Sequence, residues 1–224
     1  MPTAPDTELI SFNNWTLRIR KTEHPVPRLL VMIHGFTGDE NSMWVFARDL
    51  PTDYWIIAPR APSAASPSGY TWNPLQLTSE KRPSLEQLRS SAEALINLID
   101  AYQLSAGLEA HPERRQRFDV IGFSQGAVMS SLLTFLYPHR IGKTGILSGF
   151  VPSGLEELVT RRPLEGKPFF VAHGTQDQTV PIERARASLQ ILEQAGAHIT
   201  YCEDAVGHKV SLNCLRALKD FLAE

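Results

Sequence analysis

Short apolar runs alternate with longer segments of helical periodicity through most of this chain, and that alternation leaves few architectures open. The runs at 29–33, 54–58, 118–123, 144–147, 169–172 and 199–202 are nearly continuous in apolar residues, as in strands covered on both faces. Trp15, Leu17 and Ile19 instead alternate with Thr16, Arg18 and Arg20, the pattern of a half-exposed edge strand. Between the runs, Leu85, Leu88, Ala92, Leu95, Ile96, Ile99 and Tyr102 recur at helical spacing. Ser84 with Gln87 three residues on, after Pro83, reads as a capping box for that helix. Further helices are predicted over 125–137, ending at Pro138, over 182–195, ending at Gly196, and over roughly 211–222. Strands alternating with helices imply an α/β fold whose mostly parallel, twisted sheet carries helices on both faces. No internal repeat or linker interrupts the pattern, so residues 1–224 are expected to form one domain. A chain of this length buries roughly 70% of its unfolded surface, so neither a disulfide nor a metal is needed for stability.

Composition removes several function classes. With 22 basic and 24 acidic side chains the net charge is −2. No surplus of positive charge exists to neutralise phosphates, so nucleic acid is not an expected partner. The densest basic stretch, Arg114, Arg115 and Arg117, reads as a solvated connection. No apolar run is long enough to span a bilayer. The start MPTAPDTELISF has neither a basic beginning nor an apolar core, so it does not read as a secretory signal and a cytoplasmic location is expected. Cys202 and Cys214 fit no zinc spacing; they are expected to be reduced, partly buried thiols. Neither a metal nor a cofactor is expected, and a homodimer is compatible with the sequence. One stretch breaks the alternation: residues 59–83, rich in Pro, Ser and Ala, with Gly69-Tyr70-Thr71-Trp72 inside it. Long irregular connections in compact domains are usually functional. This one is too short for a separate cap domain.

Gly122-Phe123-Ser124-Gln125-Gly126 follows a predicted strand and opens a predicted helix, the context that a G-x-S-x-G motif requires. A serine on such a sharp turn stands clear of the sheet edge, and the helix N-terminus behind it favours developing negative charge. A serine hydroxyl is a weak nucleophile and needs a base, itself oriented by an acid. In this arrangement the chain order is serine, acid, histidine. Of the histidines after Ser124, His139 follows a helix-ending proline, His198 opens a strand and His173 precedes Gly174 as a structural residue. His208, between the last strand and last helix, is the predicted base. Asp177, in the loop after the 169–172 run, is the predicted acid; Asp204 stands too close to His208 along one loop to face its ring. The oxyanion donors are expected to be the backbone N–H groups of Gln125 and Phe36, with Thr37 second, the latter two from His34-Gly35-Phe36-Thr37-Gly38. Trp72, Phe36, Met43 and Val180 are candidates for the acyl-binding surface.

Ile33-His34-Gly35-Phe36-Thr37-Gly38-Asp39, Gly122-Phe123-Ser124-Gln125-Gly126, His173-Gly174 through Asp177 to Val180-Pro181, and Gly207-His208 together resemble the phospholipase/carboxylesterase group of α/β hydrolases, which also holds the acyl-protein thioesterases. The resemblance implies the α/β-hydrolase fold without a large cap and no cofactor. It also implies Ser124 as nucleophile, Asp177 as acid, His208 as base, and the N–H groups of Phe36 and Gln125 as oxyanion hole. Ala127 stands where the group usually has another glycine, and residues 59–83 resemble it only loosely. Dienelactone hydrolases share the fold but use a cysteine nucleophile. The expected function is therefore a serine carboxylesterase acting on short- to medium-chain esters through an acyl-enzyme. The alternatives are an acyl-thioesterase or lysophospholipase using the same residues, or a non-catalytic ligand-binding protein of the same fold.

Overall fold

The computed structural model describes residues 7–73, 85–108 and 117–224. Ser84 and the side chain of Gln87, residues 74–83 of the irregular connection, and arginines 114 and 115 lie outside the described residues. In chain order the elements are β1 (Glu8–Phe12), β2 (Trp15–Arg20), β3 (Arg28–Ile33), β4 (Tyr54–Pro59), β5 (Ser63–Ala64), β6 (Tyr70–Thr71), α1 (Leu85–Ser105), β7 (Phe118–Phe123), α2 (Gln125–Leu136), β8 (Ile141–Leu147), α3 (Glu156–Val159), β9 (Pro168–Gly174), α4 (Ile182–Gln194), β10 (His198–Asp204) and α5 (Leu212–Ala223). Eight strands form one sheet in the order β1-β2-β4-β3-β7-β8-β9-β10. From β4 to β10 every pairing is parallel, and β2 runs antiparallel to both its neighbours. This is the α/β-hydrolase arrangement.

The unbroken apolar runs follow from burial on both faces. In β3, Leu29, Val31 and Ile33 join one core, with residues of α1, α2 and α4, while Leu30 and Met32 join the other, under α5 and the short 3-10 turn Ser42–Phe46. Several features differ from the sequence reading, among them α3 and the Ser42–Phe46 turn, which it did not include. Strand β1 pairs with β2 across Asn13 and Asn14, whose φ values of 47° and 65° are positive. Asparagine tolerates that conformation well enough to serve two-residue hairpin turns. The stretch after β4 is less irregular than expected, because β5 and β6 make a small hairpin. A further difference concerns the cysteines. Cys202 of β10 and Cys214 of α5 form a disulfide, with Cα atoms 5.7 Å apart, so the expected reduced thiols are not what the fold contains. Spacing along the chain could not disclose this, because the turn between β10 and α5 brings the two side by side. Among the described residues, no helix is long and apolar enough to cross a membrane.

The strand order reverses beside β3. The chain steps from β3 to β4 on one side, and the strands from β7 onward build outward on the other. Loops leaving the C-terminal ends of β3 and β7 therefore diverge and leave a crevice, the usual ligand position in open α/β sheets.

Candidate active site

Ser124 is the first residue after β7, at that crevice. Its φ of 54° and ψ of −116° lie outside the regions that L-residues favour, and such conformations persist only where surrounding structure imposes them. The Ser124 N–H donates to the Leu147 carbonyl at 2.8 Å. The turn is pressed against the sheet so closely that a Cβ on Gly126 would lie 2.0 Å from the Ile33 carbonyl oxygen. Helix α2 then starts at Gln125 and carries its N-terminus up to the serine.

Two loops bring the other groups in. Asp177 follows β9, and His208 lies between β10 and α5. His208 Nε2 is 3.0 Å from Ser124 Oγ, and its Nδ1 is 2.6 Å from Asp177 Oδ2. The loops meet this closely because residue 174 is glycine: a Cβ there would lie 2.2 Å from the Val206 carbonyl oxygen. The Asp177 side chain is fully buried, whereas that of His208 is 23% exposed, which leaves the imidazole open to an incoming molecule. Asp177 Oδ1 accepts the N–H groups of Thr179 and Val180 at 2.8 and 2.9 Å. Burial opposes ionisation of this carboxyl. The Val180 N–H, the His208 ring and the Thr179 N–H outweigh it and hold the pKa below the usual carboxylate value. A carboxylate at Nδ1 fixes the proton there and turns the Nε2 lone pair toward the serine. Serine, imidazole and carboxylate so linked can carry out nucleophilic acyl transfer.

The remaining histidines and the rival acid lie elsewhere. His173 is buried, its Nε2–H donates to the Val180 carbonyl at 2.7 Å, and it also lies 3.4 Å from Asp177 Oδ2, so it braces the acid loop. His139 and His198 are exposed, near the starts of β8 and β10. Asp204 Oδ1 accepts the N–H of Ala205.

In the loop after β3, the Thr37 N–H donates to the Tyr70 carbonyl at 3.0 Å, so it is engaged. Among the described residues, the N–H groups of Phe36 and Gln125 have no backbone acceptor. His34 underpins this loop. It is fully buried, its Nδ1–H donates to the Gly35 carbonyl and its Nε2 accepts the Ala61 N–H at 3.0 Å. Burial first, and Arg60 with it, lowers its pKa, in keeping with this neutral, donor-and-acceptor role.

The residues proposed for the acyl surface are placed differently from one another. Trp72 is fully buried, stacked near Trp15, with its indole N–H donated to the His34 carbonyl at 2.8 Å. Met43 is 1% exposed within the core beneath α5, and Val180 is 7% exposed. Phe36 alone among the four is open, at 55%. One aromatic residue to which the sequence reading gave no role stands beside the imidazole. The Phe123 ring lies 5.0 Å from the His208 ring and stacks on Phe46 at 5.9 Å. A second omission is the side chain of Gln125. Its Oε1 accepts the Trp72 N–H at 3.1 Å, and its amide pairs with Thr71 Oγ1, tying the β5–β6 hairpin to the turn that bears Ser124. No local pattern marks this role, since the partners lie more than fifty residues away.

The chain is similar to several known proteins. It is 28% identical to the probable carboxylesterase SOBER1-like of Arabidopsis thaliana, over 93% of this chain and 83% of that one. It is 26% identical to acyl-protein thioesterase 1 of Debaryomyces hansenii, over 80% and 82%. Among solved structures, the Bacillus cereus carboxylesterase superposes with a TM-score of 0.78 at 19% identity, covering 93% of both chains. At that identity the likeness is one of fold. The Phospholipase/Carboxylesterase family matches residues 14–224. On that match the chain belongs to the phospholipase/carboxylesterase family, hydrolases of the serine α/β-hydrolase type.

Proposed function

We propose that this protein is a carboxylesterase that hydrolyses short- to medium-chain esters through an acyl-enzyme on Ser124. The observation that carries the reading is the continuous hydrogen-bonded path from Asp177 through His208 to Ser124, at 2.6 and 3.0 Å. Ser124 Oγ attacks the ester carbonyl while His208 Nε2 takes its proton. The oxyanion that forms accepts the N–H groups of Phe36 and Gln125, which are near the N-terminal end of α2 or beside it. His208 then gives its proton to the leaving alkoxide. Water, deprotonated in turn by the same nitrogen, attacks the acyl-enzyme, releases the acid and restores Ser124. Phe123 against the His208 ring, Phe46 stacked on it and the exposed Phe36 are the residues we assign to the hydrocarbon part of the substrate, a role for which buried Trp72 and Met43 are poorly placed.

The experiment is turnover of p-nitrophenyl esters of graded acyl length, together with labelling by a fluorophosphonate. The wild-type chain is expected to form one covalent adduct, on Ser124. Folded Ser124→Ala is expected to lose activity by on the order of 10⁴-fold or more. Retained turnover in that variant, or an adduct elsewhere, would contradict the reading.

A further inference from the structure

The loop that carries His208 makes few hydrogen bonds to the rest of the fold among the described residues. Residues 205–211 connect β10, which among the described residues is the last strand of the sheet and pairs only with β9, to the first turn of α5. Apart from the contacts of the imidazole itself, among the described residues one backbone hydrogen bond ties residues 205–211 to the acid loop, from the Gln176 N–H to the Val206 carbonyl at 3.0 Å. Beside it, Gly174 closely approaches the Val206 and Gly207 carbonyls, while Val210 packs against the core. The bonds from Val206 N–H to the Asp204 carbonyl and from Lys209 N–H to the Gly207 carbonyl stay within the segment. The one covalent constraint is the Cys202–Cys214 disulfide, which joins both ends of the loop, with His208 midway between the two cysteines.

We infer that Cys202 and Cys214 are positioning residues for His208: their disulfide closes the loop into a ring and keeps Nε2 within reach of Ser124. The inference rests on the proposed role of His208 as base. The argument is one of chain freedom. With the bridge opened, the segment is held at its ends only by the pairing of β10 and the packing of α5, and it gains freedom that the short covalent ring denies it. Catalysis by a base needs its nitrogen held at hydrogen-bonding distance, and misplacement of about 1 Å can cost on the order of a hundredfold in rate. Cys202 is the more exposed half of the bridge. Cys214 is 2% exposed, but Cys202 is half-buried on the edge strand. A dithiol such as dithiothreitol would attack the Cys202 sulfur as thiolate, form a mixed disulfide there and release the Cys214 thiolate. Its second thiolate then displaces Cys202, so that two electrons and two protons leave the dithiol as a cyclic disulfide and two protein thiols remain. The hydrolase would thus be slow in a reducing compartment and fast in an oxidising one.

The test compares the air-oxidised protein with the same protein after dithiothreitol, well below its melting temperature. Mass spectrometry counts the thiols. Reduction is expected to lower kcat by about tenfold or more while KM changes by less than about twofold, with recovery on reoxidation. Amide hydrogen exchange in 205–211 is expected to quicken in parallel. The Cys202→Ser/Cys214→Ser variant should match the reduced enzyme and ignore the dithiol; if it does not fold, the treated wild type carries the same comparison. Unchanged kcat with two free thiols, or two free thiols in the air-oxidised protein, would overturn the inference. A stability loss without a fall in kcat would do the same, because it marks a bridge that only supports the fold. If neither form hydrolyses esters or takes a fluorophosphonate, the esterase reading fails. Exchange in 205–211 then still decides this one, and rates equal before and after reduction would reject it.

Discussion

Asp177 sets the proton inventory of the candidate site. One oxygen is occupied by the N–H groups of Thr179 and Val180, and the other faces His208 Nδ1. In Asp177→Asn the amide oxygen would keep the two backbone donors, and the NH₂ group would be turned toward the ring. That arrangement forces the His208 proton onto Nε2, where it can no longer accept the proton of Ser124. The expected outcome is a folded protein whose kcat is lower by about 10³–10⁴-fold with little change in KM. Steady-state kinetics beside circular dichroism would check this, and a loss under tenfold would mean that Asp177 does not orient the base. Ser124 is a residue whose backbone is as specific as its side chain. Its positive φ is tolerated because the Leu147 carbonyl and the close approach of Gly126 to β3 leave the turn no alternative. The G-x-S-x-G spacing made that turn legible in the sequence. Ala127, where relatives of the resembling group usually carry glycine, is fully buried in the first turn of α2.

The β5–β6 hairpin shows how an element that looks irregular in sequence becomes part of the frame. Tyr70 bonds to both Thr37 and Gly38 through its backbone, and Trp72 is fixed by His34, Gln125 and Ser91. The hairpin therefore braces the loop that presents the Phe36 N–H. Gln125→Met keeps side-chain length and the backbone N–H at 125 but leaves the Trp72 N–H without its acceptor. A buried donor stripped of its partner costs about 1–3 kcal/mol. The variant is expected to be destabilised by that amount in urea denaturation, with an activity loss of about tenfold or less. Unchanged stability would show that the hairpin is held by other contacts. The sequence reading offered Trp72 of this segment as a candidate for the acyl-binding surface. Burial of Trp72 against Trp15 and His34 assigns that ring to the frame.

Across the whole molecule, ion pairs hold loops at both ends of the sheet. Arg60 makes a two-point contact with the buried Glu40, and Arg28 does the same with Asp53 while also donating to the Leu222 carbonyl at the end of α5. The arginine in each pair is the main cause that holds its carboxyl below the usual pKa. A depressed carboxylate binds its proton less readily folded than unfolded. Its stabilisation is therefore complete above the ordinary carboxylate range and is lost as pH falls through the folded value. Melting temperature is expected to be level from pH 7 to about pH 5 and to drop steadily below roughly pH 4. Arg60→Met should flatten part of that drop. A melting temperature that held steady down to pH 3 would deny these pairs any role in stability.

Much of this architecture could be read before any coordinates. The strands and helices announce themselves through hydrophobic period, because a strand covered on both faces and a helix covered on one must each place apolar side chains at fixed intervals. The serine turn could be located because its backbone geometry demands glycine at set distances within five residues. Features that depend on segments remote in the chain were closed to such reading. The cysteines looked like separate thiols until β10 and α5 were seen to lie together, and Gln125 looked like a backbone donor until Trp72 arrived at its side chain. Phe123, beside the His208 ring, stacks on Phe46, a contact that only packing of the Ser42–Phe46 turn against the end of β7 could make. Periodicity and turn chemistry are properties of a few consecutive residues, whereas which surfaces meet depends on how the whole sheet and its covering helices close-pack.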